Sequence, residues 1–168
     1  IRNYILMDLP SKQQDKIFKQ IWNPIEENAR DHKKQKSLVS DYIRDYLTLK
    51  NKKIPKKNKV YQEFKNRYQD KDEAYQEELE NIKSFSLHYK KFVNPHTVSN
   101  EKLQRELTYI NRLEINVAYP FLLQVFEDAD NGLITNDEVI KILKLVQSYT
   151  WRRFIVGLPT NALNKVFM

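Results

Sequence analysis

Apolar residues recur three and four positions apart through most of the chain, the period of one face of an α-helix. Ile17, Phe18, Ile21, Trp22 and Ile25 form the first stripe, with Pro24 placed to kink or restart it. Ser11-Lys12-Gln13-Gln14 opens that helix with a capping-box pattern, Ser followed by Gln three residues later. Leu38, Tyr42, Ile43, Tyr46, Leu47 and Leu49 predict a second helix from residue 37. Val60, Tyr61, Phe64 and Tyr68 predict one over 59–69, and Tyr75, Leu79, Ile82, Ser86, Tyr89 and Val93 a long one over 72–93. Asn94-Pro95-His96 ends the long helix; Ser99 or Asn100 caps the next, which carries Leu103, Leu107, Ile110 and Leu113. Tyr119–Phe126 is apolar on every side, with Pro120 in a tolerated first-turn position, and so belongs in the core. Thr135-Asn136-Asp137-Glu138 is another capping box, opening a last long helix with Val139, Ile142, Leu143, Val146, Tyr149 and Phe154 facing inward.

The intervening segments punctuate this pattern. Ile1–Met7 reads as an extended lead-in or the tail of a preceding element, broken by Asp8-Leu9-Pro10. Ala29–Lys36 reads as a loop or a frayed helix end, and Lys50–Lys59 as a basic linker held extended near Pro55. Strand-like alternation of useful length is not visible. The expected fold is therefore all-α, a single domain over 1–168 built as an irregular bundle of about seven or eight helices with mostly antiparallel neighbours.

Trp151–Phe167 predicts a helix end, a corner and a new start. Gly157 suits the left-handed position that stops a helix, Pro159 cannot continue one, and Thr160 can cap the next turn. Arg152 and Arg153 then meet the negative end of the preceding helix dipole. The same stretch carries a resemblance. An Arg-Arg pair, Gly157 five positions after Arg152, Thr160 three further, then Leu163-Asn164-Lys165-x-Phe167, is similar to the close of the helical region in GmrSD-type restriction endonuclease subunits. IRNYILMDLP at 1–10 and DYIRDYLTLKNKKIPKKNKVYQEFK at 41–65 agree with it; Val156 stands where members often carry Cys. The resemblance implies a large bacterial protein of phage defence acting against modified phage DNA. Its helical region would lie between a ParB-like nucleotide-hydrolysing domain, marked by an Asp-Gly-x-x-Arg motif, and an HNH nuclease domain. Arg152, Arg153, Thr160, Asn161 and Asn164 are the candidates for docking those domains, against the simpler reading of helix termination and capping.

Composition narrows the picture. The 168 residues, 40% hydrophobic with 10 Tyr and 8 Phe, suffice for a packed core. Absence of cysteine rules out a disulfide framework and thiolate metal sites, and fits a reducing compartment. The longest apolar run, Val117–Leu123, is far short of a membrane span, and the first residues lack a signal-peptide pattern. A cytoplasmic chain without membrane contact is expected, and a beginning at Ile1 suggests a piece of something longer.

The net charge of +7 is concentrated: between Asn28 and Val60 lie eleven Lys or Arg against three Asp. Lys50, Lys52, Lys53, Lys56, Lys57 and Lys59 are the candidate contacts to DNA phosphates, weighed against a solvated lysine-rich loop. Residues 127–138 tempt an EF-hand reading, with Gly132, Ile134 and Glu138 in register; but Glu127 and Ala129 fill the first and third ligand positions, and a turn plus capping box explains the same residues. His32, His88 and His96 match no zinc spacing, so no metal is expected. Glycine only at 132 and 157 allows neither a Walker loop nor a dinucleotide loop. With no Asp-Gly-x-x-Arg motif and no HNH constellation, neither catalytic residues nor a cofactor are expected within these residues. The reading is a non-catalytic, DNA-contacting helical scaffold of a GmrSD-like restriction protein. The competing reading is a stand-alone helical protein-interaction or regulatory module with its lysines as solubilising surface.

Overall fold

A helix of 21 residues, α6 (Glu73–Val93), is the element on which most others pack in the computed structural model, which describes residues 1–7, 9–69, 73–158 and 163–167. Its buried positions, Tyr75, Leu79, Ile82, Ser86 and Tyr89 on one stripe and Phe85, His88 and Phe92 on the next, span too wide an arc for a single neighbour. It therefore takes α3 (Asn23–Asn28), α4 (Val39–Asn51), α7 (Glu101–Arg112) and α8 (Tyr119–Asp130) around it. α8 bridges α4, α6 and α9 (Asn136–Ile155), as its nearly all-apolar sequence requires. Short helices α1 (Arg2–Leu6), α2 (Ser11–Ile17), α5 (Val60–Arg67) and α10 (Leu163–Val166) complete an all-α bundle.

The interior is aromatic. Tyr42 and Tyr89 lie 5.1 Å apart, Phe92 and Phe126 5.0 Å, and Tyr89 and Tyr119 5.6 Å between ring centroids. A buried phenol costs free energy unless its hydroxyl is bonded, so each hydroxyl helps fix register. Tyr46 and Tyr68 both donate to Glu78 Oε1, at 2.9 and 2.8 Å, Tyr4 donates to the Tyr68 carbonyl at 2.7 Å, and Tyr42 donates to the Ile82 carbonyl.

Helix ends follow local chemistry. The Asn100 side chain accepts from the Leu103 N–H at 3.1 Å. Thr135 and Glu138 form the full capping box, with the Thr135 N–H donating to Glu138 Oε2 at 2.7 Å. Gly157, at φ +68°, closes α9 in a Schellman turn: its N–H donates to the Phe154 carbonyl at 3.1 Å and that of Leu158 to Arg153 at 3.0 Å. Gly132, at φ +74°, ends α8 the same way.

Four expectations are corrected. Ser11 is not a cap: Pro10 holds the N-cap position, Ser11 already lies in the first turn, and Gln14 Nε2 donates to the Leu9 carbonyl at 2.7 Å. The first residues are not an extended lead-in: Arg2–Leu6 form α1, with the Ile5 N–H donating to the Ile1 carbonyl at 2.9 Å. Residues 29–36 are not merely a loop: β1 (Arg30–Asp31) and β2 (Lys36–Ser37) pair antiparallel, Arg30 opposite Ser37 and Asp31 opposite Lys36. Two residues per strand are too few to show period-two alternation. Phe154 does not face inward; α9 outruns the helices it packs on, leaving Phe154 69% exposed and its ring stacked on Trp151 at 5.6 Å. Between α2 and α3 the helix widens into a π turn at Phe18–Trp22, after which Ile25 and Asn28 are buried.

Candidate polyanion-binding cleft

The hairpin is built by local polar chemistry. Asp31 Oδ1 accepts from the N–H groups of Lys33 and Lys34 at 3.0 and 2.9 Å, turning the chain, and Gln35 takes a left-handed conformation at φ 51°. Such a short ladder does not hold itself. Asn94, 2% exposed at the end of α6, clamps it: Nδ2 donates to the Arg30 carbonyl at 2.7 Å and Oδ1 accepts from the His32 N–H at 3.1 Å.

So held, the hairpin forms one wall of a cleft of about 870 Å³ whose other walls come from α4, the 52–57 segment, the end of α6, α7 and the start of α8. Six cations line it: Lys33, Lys34 and Lys36 from the hairpin, Arg44 from α4, Lys57 from a 3₁₀ turn and Arg112 from the end of α7. Among the described residues none of the six makes an ion pair. Arg44 Nε donates to the Pro55 carbonyl at 2.8 Å, which fixes the guanidinium and ties the 52–57 segment to α4. Leu38, Ile54, Val93 and Val117 supply apolar wall.

Carboxylates and phenols line the same cleft, Asp31 from the hairpin and Glu114 just after α7 among them. Asp41 and Asp45 come from α4, Tyr89 from α6 and Tyr119 from α8. Burial pushes the Asp45 carboxyl well above the ordinary carboxylate range; Arg44 opposes the rise and Asp41 adds to it. Burial, then the nearby Asp45, also raises both the Tyr89 and the Tyr119 phenol. The Tyr119 hydroxyl donates to Asn111 Oδ1 at 2.8 Å.

The six lysines expected from the sequence are not one patch. Lys57 lines the cleft, whereas the Lys50 ammonium lies over the rings of Tyr46 and Phe85, 5.4 and 5.2 Å from their centroids. Lys52 ends α4 in a left-handed conformation at φ 49°, and Lys52, Lys53, Lys56 and Lys59 are exposed away from the cleft lining. Hairpin lysines and Arg44 belong to the same charged window, but Arg112 comes from elsewhere and no sequence signal joined it to them.

Of the docking candidates, Arg152 is exposed and Arg153 lies over the Tyr149 ring, 5.7 Å from its centroid. Thr160 and Asn161 lie outside the described residues, and of Asn164 only the backbone, in α10, is described. Beside the arginines, Trp151, Phe154, Ile155, Val156 and Leu158 are all exposed. In the 127–138 stretch, Asp128 Oδ1 accepts from Gln124 and Asp130 lies 3.5 Å from Lys91, so these acids are engaged with neighbouring side chains. Among the described residues no group of three or more His, Asp or Glu is arranged to hold a metal ion, and no helix is long and apolar enough to cross a membrane.

No family model, curated protein or solved structure matches the chain. The functional reading therefore rests on the cleft and on the resemblance in its residues.

Proposed function

We propose that this chain is a non-catalytic helical scaffold that contacts DNA through phosphates at the cationic rim of the cleft, within a cytoplasmic GmrSD-like restriction protein of phage defence. The ParB-like and HNH domains implied by the resemblance would be its partners, and they would supply the chemistry. The observation that carries the reading is the convergence of six cations from four separate segments, with no carboxylate partner among the described residues. Four carboxylates, Asp31, Asp41, Asp45 and Glu114, line the same cleft without pairing to these cations, so the cations remain in excess and favour a polyanion there. Phosphate contacts of this kind release counterions and weaken steeply with salt.

Binding of labelled duplex DNA, followed as a function of salt, tests this. Changing Lys33, Lys34 and Lys36 to Gln should reduce the slope of log affinity against log salt by about 2–3, near one for each phosphate no longer neutralised. Changing Lys52 and Lys53 should leave it nearly unchanged, because neither lines the cleft. No binding at low salt, or equal losses in both variants, refutes the proposal.

The exposed apolar end of α9 favours a second reading, a helical protein-interaction module that docks through Trp151 and Phe154. On that reading Phe154→Ser abolishes association with a partner domain while the DNA titration is unaltered.

A further inference from the structure

We infer that a second copy of this chain docks on the outer face of α9, the two helices lying antiparallel about a two-fold axis beside Leu145. This contact does not depend on the cleft or on DNA.

α7 and α8 pack on the side of α9 that carries Val139, Ile140, Leu143 and Val146. On the other side Asp137, Lys141, Lys144, Ser148, Trp151 and Ile155 recur at alternating steps of four and three, the spacing at which two helices can run side by side. Ser148 is partly buried and the other five are exposed. Leu145, beside the same line, is 68% exposed.

A two-fold contact uses one patch twice, so each residue must suit the residue that reversal of the chain direction sets opposite it. The outer face of α9 meets this condition. With Lys144 opposite Leu145, reversal sets Asp137 opposite Arg152 and Lys141 opposite the small Ser148. Both Asp137 and Arg152 are exposed, and among the described residues neither side chain makes a hydrogen bond or an ion pair. Lys144 can lay its methylene stem over the partner's Leu145 and keep its ammonium in water. Leu133, 74% exposed just before the start of α9, lies at the end to which this pairing brings the exposed Ile155 and Val156 of the second copy.

An acid in the first turn and a base in the last suit the helix dipole by themselves. Exposed Leu133, Leu145, Ile155 and Val156 do nothing for the dipole, and the register that pairs the charges also covers them. Parallel pairing would instead set Asp137 against Asp137 and Arg152 against Arg152. Phe154 lies about half a revolution round the helix from Leu145 and takes no part.

The test is the mass of the 168-residue chain by sedimentation equilibrium, at physiological ionic strength and rising protein concentration. The mass should climb from 20.3 kDa to twice that value and stop, because a two-fold contact closes on itself. Arg152→Asp and Asp137→Arg should each weaken dimerisation roughly 10-fold, since either change makes two attracting pairs repel. Mixing those two variants should restore it, because each then meets the opposite charge on the other. Leu145→Lys, which sets like charges beside the axis, should also weaken it, and Phe154→Ser should leave it unchanged. The substituted side chains are all exposed, so the variants keep the fold. A mass of 20.3 kDa at every concentration, growth beyond the dimer, single charge variants that associate as well as the unaltered chain, or a mixture no better than its components overturns the inference. So does loss of association in Phe154→Ser, which would move the contact to the other side of the helix.

Discussion

Replacing Asn94 by alanine probes the link from a buried polar side chain to the arrangement of the cationic rim. The substitution deletes the 2.7 Å bond to the Arg30 carbonyl and the 3.1 Å bond from the His32 N–H. Each is worth about 0.5–1.5 kcal/mol net, and the two backbone groups left behind are near enough to the surface for water to reach, so the loss is about 1–3 kcal/mol. For a chain of this size that lowers Tm by about 2–4 °C per kcal/mol. Asn94→Asp should do no better, because its second oxygen would face the Arg30 carbonyl with no proton to share. Thermal and urea unfolding give the stability change. Hydrogen exchange at the Leu38 amide, which donates to the Ala29 carbonyl at 2.7 Å, reports the hairpin itself. That amide should exchange faster in Asn94→Ala, and the salt slope of DNA binding should shrink because Lys33, Lys34 and Lys36 are no longer held together. A stability change under about 0.5 kcal/mol, or a full loss of stability with hairpin exchange and salt slope untouched, would refute the clamp.

Three other perturbations have defined outcomes. Gly157→Ala should cost about 1 kcal/mol in thermal unfolding although an added Cβ would meet nothing within 4 Å, because the penalty lies in the positive φ of +68° and not in a clash. Phe154→Ser should change stability by less than about 0.5 kcal/mol, since 69% of the residue is already in water; a core-sized loss would place it inside after all. His88, 2% exposed with Nε2–H donating to Glu127 Oε2 at 2.9 Å, has its pKa lowered by burial, against the opposing pull of Glu127 and Asp130. Its folded value lies below the unfolded 6.5, so the unfolded chain takes the proton more readily: stability is full above that pH and declines as the pH falls through it. Denaturation at pH 7.5 and pH 5.5 should show this decline, flattened in His88→Gln.

What the sequence made legible is what depends on neighbours along the chain. Thr135 with Glu138, Asn100 before a helix and Gly157 after one each act over three or four residues, and each does in space what its spacing predicts. Phe154 misled because periodicity fixes the side of a helix a residue occupies but not whether a neighbour extends far enough to cover it. Lys50 rests over aromatic rings, and nothing in a run of lysines tells which ammonium will do so. Asp41, Arg44, Asp45 and Thr48 recur at helical spacing on α4, a polar stripe that along the sequence looks like any solvated face. Only tertiary packing turns that stripe toward the hairpin and α7, which brings Asp45 and Arg112 to one cleft.

The π turn at Phe18–Trp22 sets a phase relation between two stretches of one rod. Ser11–Ile17 buries no residue, whereas the stretch beyond the turn commits Ile25, Asn28 and Ala29 to the interior. A wide turn of this kind holds about one residue more than a regular one, and one residue is about 100° of azimuth. Deleting a single residue there would rotate one half of the rod against the other by that angle. If the second half turned, Ile25 would leave its seat and Asn28 would lose its 2.9 Å bond to Ser86. Arg30 would then enter the hairpin from another side, carrying the lysine wall with it. The bulge thus acts as a protractor for the cleft, and this segment should tolerate substitution far more readily than any change in its length.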